Sequence, residues 1–206
     1  MLQLKGRINS SNVMKALWVL EEIGIDYERE DVGRQFGKNH EAPYLRLNPN
    51  GRIPVLVDGD FVLFESLAIN TYIAKKAGGD LAPKGLGEDA TNEQWSLWVV
   101  TETEKAVLRA LFHTLGAMGY EKDPAIVAEC LEELARPFKV LDGHLANRDY
   151  LMGGRFTIAD LNVASVLAWA ATARLDLSAY PNMDKWLKAC LAREGYQKVR
   201  AIQKAG

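Results

Sequence analysis

Asn48-Pro49-Asn50-Gly51-Arg52-Ile53-Pro54-Val55-Leu56-Val57-Asp58-Gly59-Asp60-Phe61-Val62-Leu63-Phe64-Glu65-Ser66 is the stretch of this 206-residue chain on which its fold turns. It opens with dense turn chemistry from Asn48 to Gly51. Two short apolar runs, Val55 to Val57 and Phe61 to Phe64, flank Asp58-Gly59-Asp60, which reads as a hairpin. The Ile53–Pro54 bond, directly before a strand, is a candidate cis peptide, although most X-Pro bonds are trans. If cis, it turns the main chain of Ile53 outward, leaving its N–H and C=O to pair with a peptide-like ligand as an added strand would. Beyond the hairpin, Leu67, Ile69, Tyr72 and Ile73 fall at helical spacing.

Toward the N-terminus, Leu2-Gln3-Leu4 reads as a strand that ends at Gly6. Val13, Ala16, Leu17, Leu20 and Ile23 then form one helical stripe, with Gly24 as its stop and Ser10, Ser11 or Asn12 as its cap. Tyr27 to Val32 is a second strand, and the polar stretch after it is irregular. The order β-α-β, then β-β-α, resembles a thioredoxin-like domain. Toward the C-terminus, the glycines and Pro83 of 78–87 mark a linker. Segments near 88–119, 124–147, 157–173, 181–193 and 196–203 are helical in period. The expected fold is an α/β thioredoxin-like N-terminal domain (1–79), a linker (80–87) and an all-α C-terminal helical domain (88–206).

Composition excludes several function classes. A net charge of −2 argues against a nucleic-acid binder, whose affinity rests on clustered cations. Of the two cysteines, Cys130 and Cys190, neither lies in a CxxC or Cys/His spacing, so no metal site and no disulfide framework is expected. Met-Leu-Gln-Leu-Lys-Gly at the start is no basic-then-apolar signal, and no apolar run is long enough to span a bilayer. The expectation is a cytoplasmic protein without membrane or nucleic-acid partners.

Four segments carry chemistry or mimic it. Ser10-Ser11-Asn12 sits between a strand end and a helix N-terminus, where free N–H groups and the helix dipole favour an anion. A thiol placed there ionises more readily, and Ser or Asn can donate to the thiolate; read alone, the three are helix caps. Glu65-Ser66 opens the next helix and can hold an amino-acid head group, Glu65 taking the ammonium and Ser66 the carboxylate. Alone it too reads as a cap. Read alone, His40, Arg52 and Lys38 are simply polar loop residues. Thr157 and Asp160, three apart, form a variant capping box after Phe156 and are structural.

In order and spacing, Ser10-to-Lys15, Asn48-Pro-Asn-Gly-Arg-Ile-Pro, Phe64-Glu-Ser and Phe156-Thr-Ile-Ala-Asp together resemble the soluble glutathione transferases over nearly the whole chain. The resemblance implies that glutathione is the co-substrate. Glu65 and Ser66 would hold its γ-glutamyl group and the backbone of Ile53 its cysteinyl part, while His40 and Arg52 approach its glycine carboxylate. Ser10 fits the register of the plant-type serine enzymes, Ser11 the theta- and delta-like spacing, and Asn12 that of a bacterial subgroup with thiol–disulfide activity. No tyrosine or cysteine occurs in this opening, which departs from the tyrosine and cysteine classes. A homodimer is implied, with a small electrophile bound against the second domain, where Trp95, Trp98, Arg109, Phe112, His113 and Trp169 are candidates. The competing functions are a glutathione-dependent disulfide or peroxide reductase and a non-enzymatic binding module of the same fold.

Overall fold

The computed structural model describes residues 1–205, which fall into two units: Met1–Ala82 with the segment from Ala192 onward, and Pro83–Leu191. In the first unit, strand β1 (Leu2–Lys5) pairs in parallel with β2 (Tyr27–Glu30) and antiparallel with β3 (Val55–Asp58), which pairs antiparallel with β4 (Phe61–Phe64). The strand order is β2-β1-β3-β4. Leu2 and Leu4 are buried while Gln3 between them is exposed, the alternation of a sheet with one covered face. The β3–β4 hairpin closes through Gly59, whose φ of 60° suits the first central position of a two-residue turn.

Helix α1 (Ser11–Ile23) follows β1 and stops at Gly24, which is left-handed and donates its N–H to Leu20 O. Val13 through Leu20 are all buried, Lys15 included. The reason is that α1 packs against two helices, α3 (Ser66–Ala77) and α9 (Glu194–Ala205), rather than one. Gly195 lets α9 come close: a Cβ there would lie 2.7 Å from the Glu22 Cα. Arg193 Nη2 meets Glu22 Oε1 at 2.6 Å, and the Trp18 and Tyr196 rings lie 4.8 Å apart. By these contacts α9, the last helix of the stretch 88–206, packs within the first unit. The polar stretch read as irregular contains a 3-10 turn (Arg34–Phe36) and the single-turn α2 (Ala42–Leu45) with Pro43 in its first turn.

The second unit is helical: α4 (Gly85–Glu102), α5 (Glu104–Leu115), α6 (Pro124–Leu145), α7 (Ile158–Thr172) and α8 (Pro181–Leu191). Helix α4 starts inside the expected linker because Glu88 accepts the Lys84 N–H at 2.6 Å and caps the first turn. The expected helix 88–119 is broken at Thr103, whose hydroxyl donates to Val99 O at 2.7 Å. Helix α7 is buried from Ile158 to Ala170, and α4, α5 and α8 pack around it. Its start is held by Asp160, which is fully buried. One oxygen accepts from Thr157 N (3.0 Å) and Oγ1 (2.9 Å), the other from Leu151 N (2.8 Å) and Trp186 Nε1 (3.0 Å). The structural reading of this box is correct. Among the described residues no helix is long and apolar enough to cross a membrane. Cys130 and Cys190 are both buried.

Candidate active site

Register brings the sequence-picked residues to one edge of the sheet. Lys5 pairs with Glu30 on one side and Val55 on the other, and Val55 pairs with Phe64. The ends of β1, β2 and β4 therefore meet the start of β3. The loops that leave or enter there carry Arg7 to Ser10, Asp31 to Arg34, Ile53–Pro54 and Glu65–Ser66.

The Ile53–Pro54 peptide, a candidate cis bond in the sequence, is cis. The loop ahead of it is built to present Ile53. Tyr44 Oη and Asn48 Nδ2 both donate to the Arg52 carbonyl at 2.8 Å. Burial pushes the Tyr44 hydroxyl pKa well up, so it stays a donor. Buried Asn48 also folds the Asn48–Gly51 turn, its Oδ1 accepting the Asn50 N–H at 3.0 Å. Among the described residues nothing hydrogen-bonds the N–H or C=O of Ile53. Those two groups are free to pair with an extended ligand.

At the β1–α1 junction Ser10 is the N-cap, extended at φ −86° and ψ 128°, and only 6% exposed. Its hydroxyl makes no cap bond to the helix. Ser11 and Asn12 are half-buried in the first turn of α1, and the Asn12 Oδ1 is buried without a hydrogen-bond partner. Opposite, Glu65 is exposed and held at φ 73°, a conformation costly for any side-chain-bearing residue and concentrated at functional sites. Ser66 is buried and begins α3.

The loop cations stand apart from that line. His40 and Arg52 are exposed on the segment leading into β3. His40 packs on Gly51, where a Cβ would come within 2.8 Å of its Nδ1; Gly51 also sits at φ 61°. Lys38 is already engaged, donating to Glu30 at 2.7 Å. That bond, more than the second from Lys5, holds the Glu30 carboxyl below its ordinary range.

The aromatic and polar candidates of the helical unit have structural duties. Trp95 and Trp169 are buried. Trp98 packs edge-on to Trp95, with ring centres 5.0 Å apart. Arg109 bridges Glu129 and Glu133, while Phe112 and His113 pack on Tyr120. Tyr44, Asn48 and Arg7 were missed by the sequence reading. Only the Asn48 turn signature could have drawn attention to one of them.

Residues 2–75 match the glutathione S-transferase N-terminal domain and residues 99–194 the glutathione S-transferase C-terminal domain. The chain is 37% identical to glutathione S-transferase 3 of Zea mays, over 97% of this chain and 93% of that one. It is 33% identical to glutathione S-transferase GstB of Escherichia coli strain K12, over 98% and 99%. Its structure is similar, at a TM-score of 0.87 and 33% identity over 98% of both chains, to maize glutathione S-transferase I in complex with an atrazine glutathione conjugate. A thioredoxin-like sheet edge with its cis-proline strand start, joined to a unit of five helices of which α7 is buried, is thus matched in sequence and in space: the chain belongs to the glutathione S-transferase family.

Proposed function

We propose that this protein ionises the thiol of glutathione and transfers it to a small electrophile, with 1–79 as the glutathione-binding domain and 88–206 as the helical region, its helices α4 to α8 serving the second substrate and α9 packing on α1. The observation that carries the reading is the convergence on one sheet edge of three recognition elements. These are the unpaired main chain of Ile53, the Ser10 hydroxyl with no cap bond, and the Glu65-Ser66 helix start. Glu65 and Ser66 take the γ-glutamyl group, Ile53 the cysteinyl backbone, and His40 and Arg52 the glycine carboxylate. Ser10 donates to the sulfur, and Ser11 and Asn12 line the same turn.

A thiol of pKa ~8.5 is only a few per cent ionised at neutral pH. Lowering it by about two units needs ~2.7 kcal/mol of preference for the thiolate, within the reach of a charge-assisted hydrogen bond and a helix N-terminus. The thiol proton leaves to solvent. The sulfur lone pair then forms the bond to carbon, and the leaving group departs with the electrons of the bond it breaks.

The register of Asn12, half-buried in the first turn of α1, favours one second reading, a glutathione-dependent disulfide or peroxide reductase in which the Asn12 Nδ2 rather than Ser10 donates to the sulfur. A homodimer in the cytoplasm is part of the proposal and rests on family membership. Isothermal titration with glutathione is the first test, and silence at millimolar ligand would favour a non-enzymatic binding module. A panel of electrophiles against disulfides and peroxides then separates transferase from reductase.

A further inference from the structure

Arg7 lies on the turn that carries Ser10, and nothing in the glutathione site uses it. Its N–H donates to Val32 O at 3.2 Å, and its carbonyl accepts the Ser10 N–H at 3.2 Å. Its guanidinium lies over Gly33: a Cβ on that glycine, at φ 92°, would stand 3.3 Å from Arg7 Nη1 and 3.4 Å from Ile53 Cδ1. So the arginine, the glycine and the side chain of Ile53 meet at one point of the sheet edge.

This charge is uncompensated. The Arg7 Nε is buried without a hydrogen-bond partner, and among the described residues no carboxylate pairs with the guanidinium. The two acids at the end of β2 are committed elsewhere, Glu30 to Lys5 and Lys38 and Asp31 to Arg29. Burial first and the charge of a second cation, Arg34, second hold the Arg7 pKa below its ordinary value. A half-buried guanidinium facing another cation is unfavourable unless an anion completes it. Gly33, without a side chain, lets the guanidinium lie close against its backbone.

We propose that Arg7, with Arg34 beside it, forms an anion subsite that selects electrophiles carrying a carboxylate. The proposal rests on the transferase reading above. His40 and Arg52 already serve the glycine end of glutathione there, whereas Arg7 shares its turn with Ser10 at the sulfur. A carboxylate on Arg7 therefore belongs to the molecule whose carbon the sulfur attacks. The guanidinium takes the carboxylate through its fork of N–H donors and plays no part in the bond exchange.

The test is a matched pair, a chlorodinitrobenzoate and the corresponding carboxamide, each losing chloride to glutathione by the same substitution. In the wild type kcat/KM is expected to favour the benzoate. Arg7→Gln is expected to lower the benzoate-to-carboxamide ratio about 10-fold or more, the loss of a charge-assisted contact, and Arg34→Gln by less. The glutathione Kd by titration should stay within about twofold, the change expected when no contact to glutathione is lost. An unchanged ratio overturns the proposal. So does a weakened glutathione Kd with the ratio intact, because Arg7 would then hold the glycine carboxylate. A wild type that does not bind glutathione overturns the transferase reading itself. Should the variants not fold, inhibition of the wild type by dinitrobenzoate and by dinitrobenzamide decides: about 10-fold tighter acid binding, weakening with salt, supports the subsite, and equal inhibition refutes it.

Discussion

Replacing Ser10 by alanine separates two jobs that a serine at a helix start can do. An N-cap hydroxyl normally satisfies a free N–H of the first turn, and losing it costs ~1 kcal/mol. Here the hydroxyl makes no such bond, so the stability of Ser10→Ala should change by less than about 0.5 kcal/mol. The same hydroxyl, 6% exposed at the sheet edge, is assigned to the thiolate. Losing a hydrogen bond to a charged group costs ~1.5–3 kcal/mol, which at 1.36 kcal/mol per unit raises the pKa of bound glutathione by about one to two units. Ultraviolet titration of the thiolate in the complex reads that shift directly, and thermal melting reads the stability. Activity should fall at neutral pH and return as the pH rises. Ser11→Ala should leave the titration nearly unchanged, with Asn12→Ala intermediate. A lower melting temperature with an unmoved thiol pKa would mean that Ser10 is only a cap. If Asn12→Ala gives the largest shift and disulfide reduction falls with it, the reductase reading replaces the transferase one.

Ser66→Ala or Glu65→Ala should weaken glutathione binding by ~1.5–3 kcal/mol in isothermal titration, with the fold intact; unchanged affinity in both would displace the γ-glutamyl site. Asp160→Ala should cost ~4 kcal/mol or more in denaturant unfolding, since it strands the N–H and O–H donors of Leu151, Thr157 and Trp186 in a buried pocket. Thr157→Ala should cost only ~1 kcal/mol and spare the glutathione Kd; equal losses would mean the network is not centred on the carboxylate. Glu30 has its pKa lowered in the fold, so its contribution is present above its unfolded pKa and disappears as the pH falls through the folded one. Glu30→Gln should therefore cost under ~1 kcal/mol at neutral pH, because the pair with Lys38 is solvent-screened. The gap from wild type should close below about pH 4. A gap independent of pH would show that the ion pairs with Lys5 and Lys38 contribute nothing.

Local chemistry decided much of this protein in advance. The hairpin at Asp58-Gly59-Asp60, the stop at Gly24 and the acid box at Thr157 and Asp160 each depend on a few adjacent residues, and each lies where the sequence placed it, while the bond before Pro54, left open between cis and trans, is cis. The order of these signals was enough to name the family and to bring Ser10, Ile53, Glu65 and Ser66 forward together. Tertiary contacts decided the rest. That α9 belongs with α1 follows from Gly195 lying against Glu22, a contact between residues more than 170 positions apart that no periodicity encodes. Whether Trp95 or Trp169 is core or binding wall depends on which helix faces it, and an amphipathic pattern cannot say which neighbour that is. Nothing in the sequence set Arg7 apart, because its isolation depends on Glu30 and Asp31 having found other partners. Charge compensation is a property of the assembled sheet edge; the sequence supplies the charges but leaves their pairing to the fold.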